Sequence, residues 1–325
     1  MAIVQGGAAA AGLFFAVLLS TFDYHSMAQI WPFHAILTWG MVLATFVIGY
    51  APNGTTNKAW IRLPLDLSIQ PTELAKISFI LTFALHLDNA HDHLDEPATL
   101  AGLLAHLGLP LILIHFQGDD GTALIFLLVG LTMLFAAGLS RKYILIGAGL
   151  SVIALPVLWF GIMGPYQKQR VLALFHPEQY TDLLWQQNQG SISIGAGQIL
   201  GRGFFKTPHH PVPLAENDFI FSYISEALGF VGSLLVILLL FGLAAKMLST
   251  SFRSQDRLGS LICVGIFGVI TWQSIINIGM NLTLLPVIGV TLPLLTAGGT
   301  SVLTTYLMIG LALSVFMHNK QTLFG

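Results

Sequence analysis

Apolar residues in this chain form long uninterrupted stretches, not the short alternating runs that are typical of a soluble fold. A bilayer core needs roughly 20 apolar residues per helix. On that measure nine spanning segments are predicted, near residues 5–22, 33–50, 70–87, 98–116, 121–138, 142–161, 219–245, 258–281 and 297–317. The pattern therefore predicts an all-α polytopic integral membrane protein, with residues 1–325 forming a single transmembrane domain.

The positions of Lys and Arg at the ends of these segments predict their orientation. Arg141 and Lys142 share one short loop, the stretch 246–257 carries three further basic residues, and Lys320 lies in the tail. Alternation places all three regions on one face, and basic loops favour the cytoplasm. The long segment 162–217 is then an extracytoplasmic loop, the N-terminus is outside and the C-terminus is inside.

Composition agrees with a membrane protein and excludes several other classes. Hydrophobic residues make up 55% of the chain and charged residues 9%, against roughly 25% charged in a soluble domain. The net charge of −2 argues against nucleic acid as a partner. A single cysteine, Cys263, excludes an intrachain disulfide. The first apolar run has no basic residue before it, so a spanning helix is expected there and not a cleaved signal peptide.

Polar residues are concentrated in three segments that are predicted to lie outside. In "QPTELAK", Pro71 suits the first position of a helix and Glu73 favours the positive end of the helix dipole. Glu73 and Lys76 are three residues apart and therefore able to pair. Ionisable groups at membrane depth usually face a cavity, while the alternative is a pair that only neutralises itself at a helix start.

The other two segments are distinguished by their glycines and prolines. The 162–217 loop is too long for a simple connector, and it is expected to contain re-entrant or amphipathic segments. In residues 277–303, prolines and glycines interrupt an apolar run. Broken backbone at membrane depth persists only where protein buries it or where it lines a wet cavity, while the alternative is a simple kinked pair of helices.

Two histidine-rich stretches offer ligand types for a metal. "HLDNAHDHLD" (86–95) has His and Asp side chains in a predicted cytoplasmic loop, where a solvated polar turn is the favoured interpretation. His209 and His210 precede Asp218 in "TPHHPVP", where an extended proline-rich turn is favoured over a metal site.

Six motifs occur in an order that resembles a known family. They are "QPTELAK" (70–76), "QGDDGTALIF" (117–126), "PYQKQRVLALFHPE" (165–178), "NQGSISIGAGQILGRG" (188–203), "NDFIFSYISEALGF" (217–230) and "NIGMNLTLLPVIGVTLPLLTAGGTSVL" (277–303). The chain resembles the SEDS (shape, elongation, division and sporulation) family, whose members include RodA and FtsW. The resemblance implies a multi-pass protein of the bacterial inner (cytoplasmic) membrane. It also implies a glycosyltransferase that polymerises lipid II into peptidoglycan strands at the outer face, beside a class B penicillin-binding protein.

The same resemblance implies roles for single residues. Asp218 in "NDFIF" matches the essential aspartate of the family's "TDFIF", and Glu73 and Lys76 match its "QPSELAK". Trp60 and Arg62 lie where the family has Arg-Trp-Ile, although Ala59 replaces that arginine. In the matched motifs, Gln117 and Gln189 are further candidates for substrate binding.

Some positions depart from the family pattern. Gly118 and Asp120 differ from "QPDLGTA", and Leu214 stands where a glutamate is common. The family usually has ten spans, so the helix that normally precedes "LLSTFDYHSMAQIWP" is expected to be absent here. These departures affect headgroup contacts more than the class of reaction.

The implied reaction requires one base and positive charge. The 4-hydroxyl of an acceptor sugar must lose a proton as it attacks the anomeric carbon of a donor on undecaprenyl diphosphate, and we expect Asp218 to be the general base. The diphosphate is already a good leaving group, for which nearby cations suffice. The candidates for it are Arg62, Lys76, Arg170, Arg202 and Lys206. No cofactor or protein-held metal site is predicted, although a divalent cation is a candidate cofactor. Two alternatives stay open, a lipid II flippase and a noncatalytic scaffold for a penicillin-binding protein.

Overall fold

A computed structural model describes residues 2–51, 57–64, 68–205 and 208–318 of the chain. Most of these residues belong to twelve α-helices. The helices are α1 (Ala2–Ser20), α2 (Tyr24–Gln29), α3 (Trp31–Ile48), α4 (Pro71–Asn89), α5 (Pro97–Phe116), α6 (Asp120–Ala136), α7 (Arg141–Val157), α8 (Pro165–Phe175), α9 (Thr181–Ala196), α10 (Ile220–Arg253), α11 (Arg257–Asn281) and α12 (Gly299–His318).

Each of the nine predicted spanning segments coincides with a helix, which confirms the all-α class. Six helices are long and apolar enough to cross a membrane: Trp31–Ile48, Pro97–Phe116, Arg141–Ile162, Ile220–Arg253, Arg257–Asn281 and Gly299–His318. Gln5–Ser20 and Asp120–Ala136 are shorter apolar helices. The remaining predicted segment, 70–87, forms α4, whose charged residues Glu73 and Lys76 are buried.

Short structures lie between the long helices. A two-stranded antiparallel sheet pairs β1 (Ile61–Arg62) with β2 (Ser68–Ile69), and single turns of 3₁₀ helix occupy His91–His93 and Pro177–Gln179. A π-helical turn, Leu158–Ile162, continues α7 beyond Pro156. Helices α8 and α9 occupy about half of the predicted 162–217 loop, so this loop has the internal structure that its length suggested.

The chain divides into two compact units, and the prediction of a single domain stays a prediction. The first unit comprises Met1–Gly138, Leu240–Gln273 and Pro293–Gly325. Helix α4 lies at its centre, where the ring centroid of Phe79 is 5.1 Å from that of Phe83 and 5.2 Å from that of Phe126. Helix α1 packs on α12, and a side chain on Gly310 would overlap the backbone of Ala16. Such close backbone approach is how apolar helices associate in lipid.

The second unit comprises Leu139–Leu239 and Ser274–Leu292. Helix α9 packs on the start of α10 at Gly190, where a Cβ would lie 2.9 Å from the hydroxyl of Ser222. Helix α7 has no buried residue. Most of the buried side chains of this unit therefore lie on α8, α9 and α10, at the end of α11 and in the segment after α11.

Helix α10 is broken at Gly229, whose backbone is not helical (φ 68°, ψ −166°). A break leaves peptide groups without partners in the helix, and the segment 198–203 supplies those partners. Arg202 and Gly203 donate their N–H groups to the carbonyls of Glu226 and Ala227, and the N–H groups of Phe230 and Val231 donate to the carbonyls of Gln198 and Ile199. The two backbones touch, since a Cβ on Gly201 would lie 2.3 Å from the carbonyl oxygen of Ala227.

The run between α11 and α12 is irregular over residues 282–298. Thr283, Gly289 and Leu294 all have positive φ (58°, 70° and 65°). The alternative of a simply kinked helix pair is therefore wrong. Val290 and Leu292 are buried, so the later part of this irregular run packs inside protein, whereas residues 282–284 are exposed.

Candidate functional site

Asp218 lies in the turn that leads into α10. The turn covers residues 213–219. Leu214 takes a positive φ of 54° and its carbonyl accepts hydrogen bonds from the N–H groups of Asn217 and Phe219. The side chain of Phe219 is fully buried and fixes the turn to the protein. Asp218 is consequently partly buried beside the first turn of a long helix.

Two buried asparagines of α11 hold the main chain at Asp218. The carbonyl oxygen of Asp218 accepts from Nδ2 of Asn277 (3.0 Å) and Nδ2 of Asn281 (2.9 Å). The Oδ1 atom of Asn281 accepts from both the N–H and the hydroxyl of Ser222, at 3.1 and 2.7 Å. A buried amide with satisfied hydrogen bonds resists displacement, because losing a partner costs about 1–3 kcal/mol. The backbone on both sides of Asp218 is therefore fixed.

The sequence reasoning missed these two asparagines as site residues. Asn277 and Asn281 stand in "NIGMN", inside an apolar helix. Amides at membrane depth need hydrogen-bond partners, and this need is the signal that would have identified them. Their spacing of four places both on one face of α11.

The irregular segment after α11 passes next to the carboxylate of Asp218. A Cβ on Gly289 would lie 3.7 Å from Oδ2 of Asp218. Asn277 also donates to the carbonyl of Val290, at 2.7 Å. The same asparagine thus fixes the turn that carries the carboxylate and the segment that adjoins it.

Arg170 of α8 binds this same segment. Its Nη1 atom donates to the carbonyl of Val287 (2.5 Å), and Nη2 donates to the hydroxyl of Tyr166 (2.9 Å). The guanidinium also lies 4.5 Å from the ring centroid of Tyr166. Among the described residues Arg170 makes no ion pair with a carboxylate, so its positive charge is not neutralised there. The backbone segment 287–290 is therefore bound by Arg170 and lies next to the carboxylate of Asp218.

Glu226 organises a second group of polar side chains, two turns further along α10. It is fully buried. Its carboxylate accepts from the hydroxyl of Ser193 at 2.7 Å, from the N–H of His210 at 3.0 Å and from Nη1 of Arg202 at 3.1 Å. His209 Nδ1 lies 3.3 Å from the same carboxylate. The sequence favoured an extended turn over a metal site for His209 and His210. In the structure both residues contact the carboxylate of Glu226.

Gln189 belongs to this second group. Its Oε1 atom lies 2.6 Å from Nε2 of His210. Two residues earlier on α9, Gln187 donates to the carbonyls of Met280 and Leu285, both at 2.9 Å. Gln187 therefore ties α9 to the segment that follows α11, while Gln189 supports the loop that carries Arg202.

In the first unit, Glu73 and Lys76 form a buried ion pair. Lys76 Nζ lies 2.8 Å from Glu73 Oε1, and the two residues are only 3% and 4% exposed. Helix α4 begins at Pro71, as expected for proline at the first helical position. The charge of Lys76 is compensated by its neighbour, which leaves it less positive charge to offer an anion.

Gln117 lies in a buried polar group at the start of α6. Its Nε2 atom donates to the carbonyl of Val42 and to the hydroxyl of Thr45. Nearby, Gln70 donates to Asp119 Oδ2 at 2.9 Å, and Asp119 caps α6 by accepting from the N–H of Thr122. Burial raises the pKa of Asp119, although its hydrogen bonds from Thr122 and Asn57 oppose the shift.

Trp60 and Arg62 lie together on the small sheet. Trp60 forms a β-bridge with Tyr50, and the guanidinium of Arg62 lies 4.7 Å from the centroid of the Tyr50 ring. The prediction for Lys206 lies outside the described residues. The structure thus brings Asp218 and Arg170 onto one scaffold, joins Gln189 and Arg202 through the Glu226 group, and places the other candidates in the first unit.

Among the described residues, no group of three or more His, Cys, Asp or Glu side chains is arranged to hold a metal ion. His91 and His93 instead pair with Asp92 and Glu96 at an exposed turn.

The second unit has the parts that a sugar-transfer reaction needs. A carboxylate on a fixed turn is able to accept a proton from a hydroxyl. A fixed arginine that makes no carboxylate pair in the described chain is able to stabilise a departing diphosphate. Arg170 binds segment 287–290, and the carboxylate of Asp218 lies beside Gly289 of the same segment.

Comparisons with known proteins agree with this chemistry. The family model described as "Cell cycle protein", which covers FtsW, RodA and SpoVE, matches residues 1–321. The probable peptidoglycan glycosyltransferase FtsW of Geobacter metallireducens is 32% identical over 287 residues, which are 87% of this chain and 76% of that protein. Peptidoglycan glycosyltransferase MrdB of Escherichia coli K12 is 33% identical over 267 residues, covering 79% of this chain and 71% of MrdB.

Solved structures of other proteins have a similar fold. A chain from a peptidoglycan synthase complex that coordinates polymerization and crosslinking superposes with a TM-score of 0.83 at 27% identity, covering 98% of this chain and 90% of that chain. The rod shape determining protein RodA of Thermus thermophilus superposes with a TM-score of 0.70 at 25% identity, covering 98% of this chain and 88% of RodA. With apolar helices of membrane-spanning length and a family match over nearly its whole length, the chain is a multi-pass membrane protein that belongs to the SEDS family of FtsW, RodA and SpoVE.

Proposed function

We propose that this protein is a peptidoglycan glycosyltransferase that polymerises lipid II into glycan strands at the outer face of the bacterial cytoplasmic membrane. The observation that carries the proposal is the fixed turn at Asp218, held by Asn277 and Asn281 and adjoined by the segment that Arg170 binds. The relatives named peptidoglycan glycosyltransferase support the reaction class.

In the proposed reaction Asp218 is the general base. Its carboxylate takes the proton from the 4-hydroxyl of the acceptor sugar as that oxygen attacks the anomeric carbon of the donor. The bond from the anomeric carbon to the undecaprenyl diphosphate breaks, and its electron pair leaves with the diphosphate. One base is sufficient, because a diphosphate departs without a general acid.

The cations have different roles in this proposal. Arg170 makes no carboxylate pair in the described chain, so it is the preferred group for the diphosphate. Arg202 shares its charge with Glu226, and Lys76 shares its charge with Glu73. These two residues are suited to orienting a substrate, since a compensated cation still donates hydrogen bonds. Trp60, Arg62, Gln117 and Gln189 remain proposed contacts to the substrate.

A crosslinking partner is part of the proposal. A similar chain belongs to a complex that coordinates polymerization with crosslinking. We infer that this protein likewise works beside a class B penicillin-binding protein, which would crosslink the strands that it makes. A flippase or a noncatalytic scaffold would not need Asp218, so the test of Asp218 also separates these alternatives.

The test compares two neighbouring carboxylates with the same chemistry. Purified wild type, Asp218→Asn and Glu216→Gln are incubated with lipid II, and the products are sized on a gel. Loss of a general base costs about 10²–10⁴ in rate, so Asp218→Asn should make no visible polymer. Glu216 is exposed on the same turn, and its variant should resemble wild type.

Thermal unfolding of all three proteins shows whether they are equally folded. Near wild-type polymer from a folded Asp218→Asn protein would remove Asp218 from the mechanism. Absence of polymer from the wild type, with lipid II moved across vesicles, would favour the flippase.

A further inference from the structure

A short stretch of the predicted outer loop presents large apolar side chains to its surroundings. In the 199–205 segment, Ile199 is 68% exposed, Leu200 80% and Phe205 98%. Phe204 is also exposed. Arg202 lies in the middle of this stretch. Such exposure is expected on lipid-facing helices, but these residues lie outside any helix.

The segment is held firmly in this position. Four backbone hydrogen bonds join residues 198–203 to residues 226–231 across the break in α10. A side chain on Gly229 would lie 2.3 Å from the backbone nitrogen of Gly201, which shows how closely the two backbones approach. Ile199 and Leu200 are consequently displayed by a fixed backbone, and the carbonyl of Phe204 lies 3.2 Å from Nε2 of His209.

The charges of α10 place this backbone at one edge of a bilayer. Residues 227–245 contain no charged side chain, and Glu226 and Lys246 bound them. The helix that follows the break has 16 uncharged residues before Lys246, from Phe230 to Ala245, and extends about 24 Å at 1.5 Å per residue, most of the thickness of a hydrocarbon core of about 30 Å. Because a charged side chain is costly inside a bilayer, Glu226 marks one end of this run, and we expect the 226–231 stretch, with the 199–205 segment bonded to it, near a membrane boundary.

Arg202 is oriented for an anionic group at this boundary. Its Nη1 atom is bonded to the buried Glu226, and 42% of its side chain stays exposed. A guanidinium has five N–H donors, so one contact to Glu226 leaves others for a phosphate oxygen. Arginine between apolar side chains is the composition that suits a lipid interface, with stems in hydrocarbon and the charge at headgroup level.

We propose that the 199–205 segment is a membrane-surface anchor: its apolar side chains enter the outer leaflet, and Arg202, positioned by Glu226, binds phospholipid phosphates. The occupant is the bilayer itself, because the segment continues the exposed apolar surface of α10 through the hydrogen bonds at the break. The inference rests on the proposed function only for the side of the membrane on which the 199–205 segment lies. The depth of the segment in the bilayer does not depend on that function.

The depth is measured with a spin label on an engineered cysteine. The wild type serves as the labelling blank, since its one cysteine, Cys263, is buried. Phe205→Cys places the label in the segment, and Glu178→Cys places it at an exposed position elsewhere in the same predicted loop. The purified proteins are studied in nanodiscs of phosphatidylethanolamine and phosphatidylglycerol, with oxygen and a water-soluble nickel chelate as relaxation agents.

The label at residue 205 should be relaxed more by oxygen than by the nickel chelate, and the label at residue 178 should show the reverse order. Adding Arg202→Gln should lower the ratio of inserted to aqueous label at residue 205 by about fivefold, the effect of one arginine at an anionic surface. In nanodiscs of phosphatidylcholine alone, the same substitution should have a smaller effect.

Equal, nickel-dominated relaxation at both positions would overturn the anchor. Protection of residue 205 from both agents would also overturn it, because a protein surface would then cover the segment. These outcomes are separate from the proposed function: an aqueous label beside an inactive Asp218→Asn removes the anchor alone, whereas an inserted label beside an active Asp218→Asn removes only the catalytic proposal.

Discussion

At the scale of single residues, several buried polar groups occur as hydrogen-bonded or ion-paired sets. Glu73 has Lys76, Glu226 has Ser193 and Arg202, and Asn281 has Ser222 and the main chain at Asp218. A buried polar group without a partner costs several kcal/mol. Each set therefore has to be tested as a unit, because removing one member leaves the other buried without a partner.

The Glu73–Lys76 pair provides the clearest case. Breaking a buried pair by replacing one partner costs about 3–5 kcal/mol, whereas exchanging or replacing both often costs little. We expect Glu73→Gln and Lys76→Met each to lower the thermal unfolding midpoint in detergent strongly. The exchanged variant Glu73→Lys with Lys76→Glu should recover much of that loss. Single variants as stable as the wild type would show that the pair does not contribute to the stability of the fold.

A second residue-scale prediction concerns the cluster around His25. Its Nδ1 lies 3.0 Å from Asp23 Oδ1, and its Nε2 lies 2.6 Å from Asp256 Oδ2, which also accepts the hydroxyl of Tyr24. Partial burial lowers the pKa of His25, but the hydrogen bond to Asp23 and the charge of Asp256 outweigh it and raise the pKa. For Asp23, burial raises the pKa, and the hydrogen bonds from His25 overcome this and lower it.

These two shifts define the pH range in which the cluster is stabilising. The contribution of charged His25 is complete below its ordinary pKa of 6.5 and is lost as the pH rises through the raised value. The contribution of Asp23 is present above its ordinary pKa of 3.8 and is lost as the pH falls through the lowered value. The difference in unfolding midpoint between wild type and His25→Gln should therefore be largest between pH 4 and 6.5, and a difference that grows above pH 8 would contradict this.

At the scale of elements, the break in α10 depends on close contact between two backbones. Gly201 and Gly203 both have positive φ, 80° and 86°. A Cβ on Gly201 would overlap Ala227, whereas a Cβ on Gly203 would meet nothing within 4 Å. Gly203→Ala should therefore cost only the backbone strain, about 1 kcal/mol, while Gly201→Ala should be much more destabilising. Equal unfolding midpoints for the two variants would mean that the contact at the break is not tight.

Apolar length was enough to predict the long helices, but not the structures between them. All nine predicted segments are helices, since a run such as 258–281 has few other ways to satisfy its backbone in lipid. The break at Gly229 was not predicted, because its hydrogen-bond partners at 198–203 lie far away in the sequence. Asp218 and Arg170 were chosen from motifs and chemistry, whereas Asn277 and Asn281 emerged only from their three-dimensional contacts.

At the scale of the whole molecule, the orientation in the membrane is the property on which the function depends. Lipid II polymerisation is proposed for the outer face, so the 162–217 loop must be outside and the basic loop at 246–257 inside. Impermeant thiol reagents should label Glu178→Cys in intact cells and label Gln255→Cys only after the membrane is opened. Labelling of Gln255→Cys alone in intact cells would invert the topology and contradict the proposed polymerase.

The hydrogen bonds at the break in α10 also have a consequence for biosynthesis. Residues 198–203 leave the ribosome before residues 226–231, so in the proposed orientation the donors and acceptors that the break needs are translocated before α10 enters the membrane. In the reverse chain order, four peptide groups would meet hydrocarbon without partners, each at a cost of several kcal/mol. The earlier segment thus acts as a template on which a discontinuous helix is completed during insertion.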